Sequence, residues 1–152
     1  MRIANHDVTQ KILIVAEIGN NHEGNFEVAC RMVEAAADAG VDAVKFQTFK
    51  TRLFTSKADP ARFERLSKFE LTQDQFRALE QLARARGLIF LPTPLDLESA
   101  AFLAPLVDVF KVASGKLPLP GKVRQQASGQ ARTVAASTAW PIDCQKKNRR
   151  SL

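Results

Sequence analysis

Ile12-Leu13-Ile14-Val15-Ala16 runs into Glu17-Ile18-Gly19, and Val41-Asp42-Ala43-Val44-Lys45-Phe46-Gln47 follows one helix-length later. The first run is rich in β-branched residues and too apolar for a sheet with one wet face, so it reads as a buried strand. Between the two, Asn25 is placed to cap a helix whose apolar face is Phe26, Ala29, Cys30, Val33 and Ala37, and Gly40 closes it. A strand, a crossover helix and a second strand form the unit from which parallel sheets are built.

The same unit repeats outward. Residues 48–71 are less regular, with a short helix expected near residues 60–66. Thr72 opens a clear helix, since Gln75 three positions on completes a capping box. Its stripe of Phe76, Leu79, Leu82 and Ala83 reads as core packing, and Gly87 ends it. Leu88-Ile89-Phe90-Leu91 reads as a third strand, stopped by Pro92-Thr93-Pro94. Asp96 is a cap for a third helix through Ala100, Ala101 and Leu103, and Val107-Asp108-Val109-Phe110-Lys111-Val112 is a fourth strand. The order β-α-β-α-β-α-β implies an α/β fold, either doubly wound or part of a (β/α)8 barrel. Both place chemistry at the carboxyl ends of the strands. The polar residues there are Glu17, Asn20, Asn21 and His22, then Lys45, Gln47 and Thr48, then Thr93 and Asp96, then Lys111 and Ser114.

Composition narrows the class. With 152 residues, 45% hydrophobic and 25% charged, the chain is ordinary globular material and not a disordered tail, a collagen-like repeat or a disulfide scaffold. No apolar run approaches the ~20 residues of a membrane span. The polar start, Met1-Arg2-Ile3-Ala4-Asn5-His6-Asp7, lacks a signal-peptide core, so export is not expected. Cys30 and Cys144 read as reduced thiols of a cytoplasmic protein. The net charge of +6 is unevenly spread: residues 1–115 carry 14 Lys/Arg and 15 Asp/Glu, whereas residues 116–152 carry 8 Lys/Arg and only Asp143 as an acid. The basic excess belongs to the tail alone. Val134-Ala135-Ala136-Ser137-Thr138 could supply a fragment of a fifth strand.

Four segments carry a family resemblance. Ala16-Glu17-Ile18-Gly19-Asn20-Asn21-His22-Glu23-Gly24, Asp42-Ala43-Val44-Lys45-Phe46-Gln47-Thr48, Phe90-Leu91-Pro92-Thr93-Pro94 and Phe110-Lys111-Val112-Ala113-Ser114-Gly115 stand in the order and spacing of the sialic acid (N-acetylneuraminate) synthases. The chain resembles the N-terminal half of their catalytic barrel over residues 11–115. The expected fold is thus a partial TIM (β/α)8 barrel of about four βα units in residues 1–115, followed by an irregular basic tail in residues 116–152.

The resemblance implies condensation of phosphoenolpyruvate with an N-acetylated amino sugar, N-acetylmannosamine or a relative, to a nonulosonic acid and phosphate. In such enzymes a divalent metal, Mn or Mg, polarises the open-chain aldehyde. C3 of phosphoenolpyruvate attacks that aldehyde, and water adds at C2 before phosphate leaves. Lys45 and Lys111 are then expected to converge on the anion, with hydroxyls from Thr93 and Ser114. Gln47 would face the sugar, and Glu17 would act as the acid/base or water-orienting carboxylate. Read without the resemblance, Lys45 and Lys111 are strand-end lysines, Thr93 and Ser114 turn residues, and Glu17 a structural partner of either lysine. His22 reads as a hydrogen-bonding loop residue, with no second His or Cys at ligand spacing. Asn20, Asn21 and Gly24 shape the turn into the first helix.

Three departures from the family pattern bear on function. Lys116 stands where an acid usually follows the Ser-Gly pair. Pro92 replaces a usual serine. The metal-binding histidines of the later strands and the C-terminal antifreeze-like domain have no counterpart. The charge shift after Gly115 predicts a frameshifted or truncated tail, against the alternative of a short protein with a basic tail. The fragment is expected to be inactive by itself, and the sequence leaves open whether two chains pair as a homodimer. Two other functions remain: a related phosphoenolpyruvate-dependent aldol synthase acting on a sugar phosphate, and a module binding nucleic acid through Lys146-Lys147-Asn148-Arg149-Arg150. Trp140 is the tail's lone aromatic, which leaves little capacity for base stacking.

Overall fold

The computed structural model describes residues 2–112 and 133–136. Its centre is a set of parallel strands. β3 (Val15–Gly19) pairs with β4 (Ala43–Thr48), and β4 pairs with both β5 (Ile89–Phe90) and β6 (Thr93–Pro94). The N–H of Lys111 in β7 (Val109–Val112) donates to the Pro92 carbonyl at 2.9 Å, and β8 (Thr133–Ala136) pairs in parallel with β7. Strand neighbours therefore follow chain order throughout. A doubly wound sheet reverses its order at a switch point, whereas a (β/α)8 barrel does not, so the barrel alternative holds. β8 realises the expected fifth strand and places an ordered ladder inside the basic tail.

The crossover helices form where the caps lie. α1 (Phe26–Asp38) starts at Asn25, whose side chain accepts from the Val28 N–H, and α4 (Gln73–Ala85) starts at a complete Thr72/Gln75 capping box. α3 (Pro60–Phe69) is capped by Asp59 with proline in its first turn, and α5 (Leu97–Leu103) is capped by Asp96. α2 (Thr51–Phe54) is a single turn that sequence reading does not find.

Two expectations need correction. The first strand begins at Val15, not Ile12, and Ile12 and Ile14 are 82% and 54% exposed. The Asp42 carboxylate accepts the Ile14 N–H, and the Ile14 carbonyl accepts from Asp42 and Ala43, so residues before Val15 are held at the entry of the sheet. The third strand is not stopped by its prolines. The N–H groups of Ile89, Leu91 and Leu95 donate to the Asp42, Val44 and Thr48 carbonyls of the β4 side. Donors alternate sides along a strand, so the missing N–H groups of Pro92 and Pro94 face β7 and leave the β4 ladder whole.

The strand period of two sorts the residues of β4 into two layers. Val44 and Phe46 join Phe90, Phe110, Val33, Phe76, Leu79 and Ala83 in the core between strands and helices. On the other face Val15, Ile89, Leu91 and Val109 form an apolar floor with Leu13. A short antiparallel hairpin of β1 (Arg2–Ile3) and β2 (His6–Asp7) covers that floor through Ile3 and Ala4. The hairpin is unforeseen because two-residue strands leave no period to read.

Candidate functional site

Above the apolar floor, the same inner face turns polar within two residues along each strand. Parallel register places Glu17 opposite Lys45 and Gln47 opposite Thr93. Lys111 follows the floor residue Val109 by two positions on β7, which returns it to the inner face. Between Glu17 and Gly19 the pairing slips, and Gly19 takes φ +62. Such a bulge re-aims the strand end, as commonly found beside active sites.

The three charged groups meet. The Lys45 ammonium donates to Oε1 of Glu17, and Lys111 Nζ lies 3.7 Å from Glu17 Oε2. The Lys45 side chain is only 5% exposed, those of Lys111 and Glu17 27% and 57%. A nearly buried ammonium is costly without an anionic partner, so the Lys45–Glu17 pair is required by its position. The question of which lysine partners Glu17 resolves to both, one through each carboxylate oxygen. The arrangement is a cationic fork at the strand ends, bridged from within by one carboxylate.

The other expected residues divide. Gln47 is half-buried at the same rim, and Thr93 beside it is buried, with no hydrogen-bond partner for its hydroxyl among the described residues. Ser114 and Lys116 lie outside the described residues, as do Cys144, Trp140 and the basic cluster at residues 146–150. Asp96 is structural: its carboxylate accepts from the Ser99 N–H and hydroxyl and from the Lys50 N–H. Cys30 is a free thiol packed against the core, pushed up in pKa by burial and then by Glu34 and Glu27.

His22 lies in the loop after β3. It is buried, its Nδ1 accepts the Gly24 N–H at 3.0 Å, and burial holds its pKa below the ordinary histidine value. That bond leaves Nδ1 unprotonated, so the ring is neutral with its proton on Nε2. His22 is thus the loop residue expected from the sequence. The sequence does not reveal what the loop rests on. A Cβ on Gly24 would lie 1.9 Å from the Lys68 carbonyl oxygen, so the loop backbone sits directly on the end of α3.

No group of three or more His, Cys, Asp or Glu that could hold a metal occurs among the described residues. The described residues thus supply no donor set that fits the family's divalent metal. No helix among them is long and apolar enough to cross a membrane. A separate cleft of about 310 Å³ opens at the opposite ends of the strands, lined in part by Asn5, Glu80, Arg84 and Asp108. Barrel chemistry belongs at the carboxyl ends, which favours the lysine fork over this cleft.

Parallel strands in chain order with a charged rim at their carboxyl ends define a (β/α)8-type barrel protein, of which five strands, counting β5 and β6 as one, are seen among the described residues. The family model described as "NeuB family" matches residues 32–139, a span that continues past Gly115 and includes β8. The chain belongs to the NeuB family, that of the sialic acid synthases. It is 36% identical over 122 residues to N,N'-diacetyllegionaminic acid synthase of Campylobacter jejuni, covering 71% of this chain and 36% of the relative. It is 37% identical over 115 residues to human N-acetylneuraminate-9-phosphate synthase, covering 67% and 32%. The crystal structure of spore coat polysaccharide biosynthesis protein SpsE from Bacillus subtilis superposes with a TM-score of 0.64 at 34% identity, covering 84% of this chain and 36% of that one. The chain spans about a third of the length of the curated relatives it matches.

Proposed function

We propose that this chain carries the phosphoenolpyruvate-binding part of a sialic acid synthase-type active site. The observation behind the reading is the convergence of Lys45 and Lys111 on a single carboxylate at the strand ends. Two ammonium groups on different strands, one nearly dry, suit a small ligand bearing both a phosphate and a carboxylate. Gln47 and the Thr93 hydroxyl, unpartnered among the described residues, add neutral polar groups at the same rim. Ser114 joins them in this proposal through its place in the family motif.

In the proposed reaction, the C3–C bond forms between phosphoenolpyruvate and the aldehyde carbon of an open-chain N-acetylated amino sugar. Water then adds at C2 and the C2–O bond to phosphate breaks, giving a nonulosonic acid and inorganic phosphate. Glu17, against both lysines, is placed to orient that water or move its proton. A Mn or Mg requirement belongs to the proposal, as does a cytoplasmic location. N-acetylmannosamine or a relative is the acceptor proposed. The human relative's name ends in a 9-phosphate product, so a sugar-phosphate acceptor is the second reading.

The 152-residue chain is proposed to bind phosphoenolpyruvate without turning it over. The test pairs calorimetric titration of phosphoenolpyruvate with a phosphate-release assay containing N-acetylmannosamine, or its 6-phosphate, and Mn or Mg. Binding without release is the expected result. No binding would refute the site, and sugar- and metal-dependent release would refute the proposed inactivity.

A further inference from the structure

We infer that Glu17 is a resident counter-ion which occupies the anion site of the two lysines and must be displaced before an anionic substrate can bind there. The inference rests on the reading of Lys45 and Lys111 as that substrate's ligands. Both lysines stand on strands, β4 and β7, whose backbones are fixed by parallel pairing on both sides. The Lys45 ammonium already donates to one oxygen of the Glu17 carboxylate, and the Lys111 ammonium lies 3.7 Å from the other as an ion pair. A carboxylate or phosphate oxygen arriving between them would take the positions that Glu17 Oε1 and Oε2 now hold. Like charges at such separations repel strongly at a partly exposed rim, so carboxylate and ligand compete.

The burial pattern says which partner moves. Lys45 is held in the interior with its side chain 5% exposed, while the Glu17 side chain is 57% exposed and can turn outward without uncovering core. Glu17 also lies directly before the slip in the β3–β4 register, where the pairing loosens. Before a ligand binds it keeps two like charges together that would otherwise repel. On binding it is released beside the ligand, free to act on the reacting atoms. Glu17 is therefore a positioning residue for the two lysines before binding as well as a group of the reaction. Its removal has a signed consequence: a merely structural role predicts weaker anion binding, whereas competition predicts tighter binding.

The test titrates phosphoenolpyruvate and, separately, inorganic phosphate into the full chain and into Glu17→Gln, Glu17→Asp and Lys111→Gln, with circular dichroism to establish folding. Glu17→Gln is expected to bind both probes on the order of tenfold more tightly, the scale of one unit charge removed from contact at a partly exposed rim. Glu17→Asp, too short to span both lysines, should fall between it and the native chain, and Lys111→Gln should weaken both probes. Equal or weaker binding by folded Glu17→Gln would overturn the inference while leaving the two-lysine site intact. If no variant binds either probe, the site reading fails and the inference fails with it. If Glu17→Gln does not fold, Glu17→Asp decides alone, with tightening supporting competition and its absence refuting it.

Discussion

Replacing Gly24 by alanine isolates the contact that holds the first strand-end loop in place. Gly24 has φ +83, and an added Cβ would stand 1.9 Å from the Lys68 carbonyl oxygen, 3.0 Å from its carbon and 3.4 Å from the Phe69 Cα. All three are backbone atoms at the end of α3, so no side chain can rotate away. The left-handed conformation alone costs roughly 1–2 kcal/mol for a residue with a Cβ. The clash forces the loop off α3 by over an ångström. That endangers the Gly24 N–H bond to His22, worth about 1 kcal/mol, and the Asn25 cap of α1, worth another ~1 kcal/mol. The sum is about 3–4 kcal/mol, a large part of a domain's typical 5–15 kcal/mol. Gly40 supplies the control, since its φ is +74 and nothing lies within 4 Å of its added Cβ. Gly40→Ala should show the conformational cost alone. Urea unfolding of both variants followed by far-UV circular dichroism measures the difference. Equal losses for the two substitutions would refute the docking of the loop on α3.

Other variants probe separate parts of the molecule. Lys45→Met removes a nearly buried charge and leaves its partner half in water; stability should change by less than about 1 kcal/mol while calorimetry finds phosphoenolpyruvate binding lost. His22 has a pKa depressed by burial from an ordinary value of 6.5. The unfolded state therefore takes up the proton first, and stability should be full above pH 6.5 and fall as pH drops toward the depressed value. Denaturant midpoints between pH 5 and 7.5 should show this slope, and His22→Gln should flatten it. Asp96→Ala leaves the Lys50 and Ser99 N–H groups without their acceptor, and the loss of a cap and a buried bond should cost about 2–3 kcal/mol in the same assay.

Much of the fold is legible in sequence because its signals are local. Asn25, the Thr72/Gln75 pair and Asp96 all lie beside the helices they cap, and their cap hydrogen bonds are the expected ones, whereas the Asp59 cap of α3 went unread. Strand order is not local, and the choice between barrel and doubly wound sheet needed the neighbours of β7. The third strand misled because a proline forbids only the hydrogen bond on its own side, and sequence does not say which side faces which strand. The first strand misled because hydrophobicity marks Ile12 and Ile14 as buried, whereas the Asp42 carboxylate fixes the entry point from 28 residues away.

The candidate site is legible in parts. Glu17, Lys45, Gln47, Thr93 and Lys111 are each readable as polar residues at the ends of apolar runs, and strand period brings them to one face. That one carboxylate bridges both lysines is a tertiary fact, depending on the β3–β4 register and on the place of β7 beside Pro92. The docking of Gly24 on Lys68 is equally invisible, since the two are far apart in sequence and glycine's role there is the absence of a side chain.

Lys45 and Lys111 are proposed as the phosphoenolpyruvate ligands, and a crystal structure of the chain with phosphoenolpyruvate bound decides whether they are. The expected result is ligand oxygens bridging the two ammonium groups at the strand ends, with the Glu17 carboxylate turned away from at least one of them. Phosphoenolpyruvate bound elsewhere, as in the cleft beside Glu80 and Arg84, with the Glu17 bridge intact would contradict it.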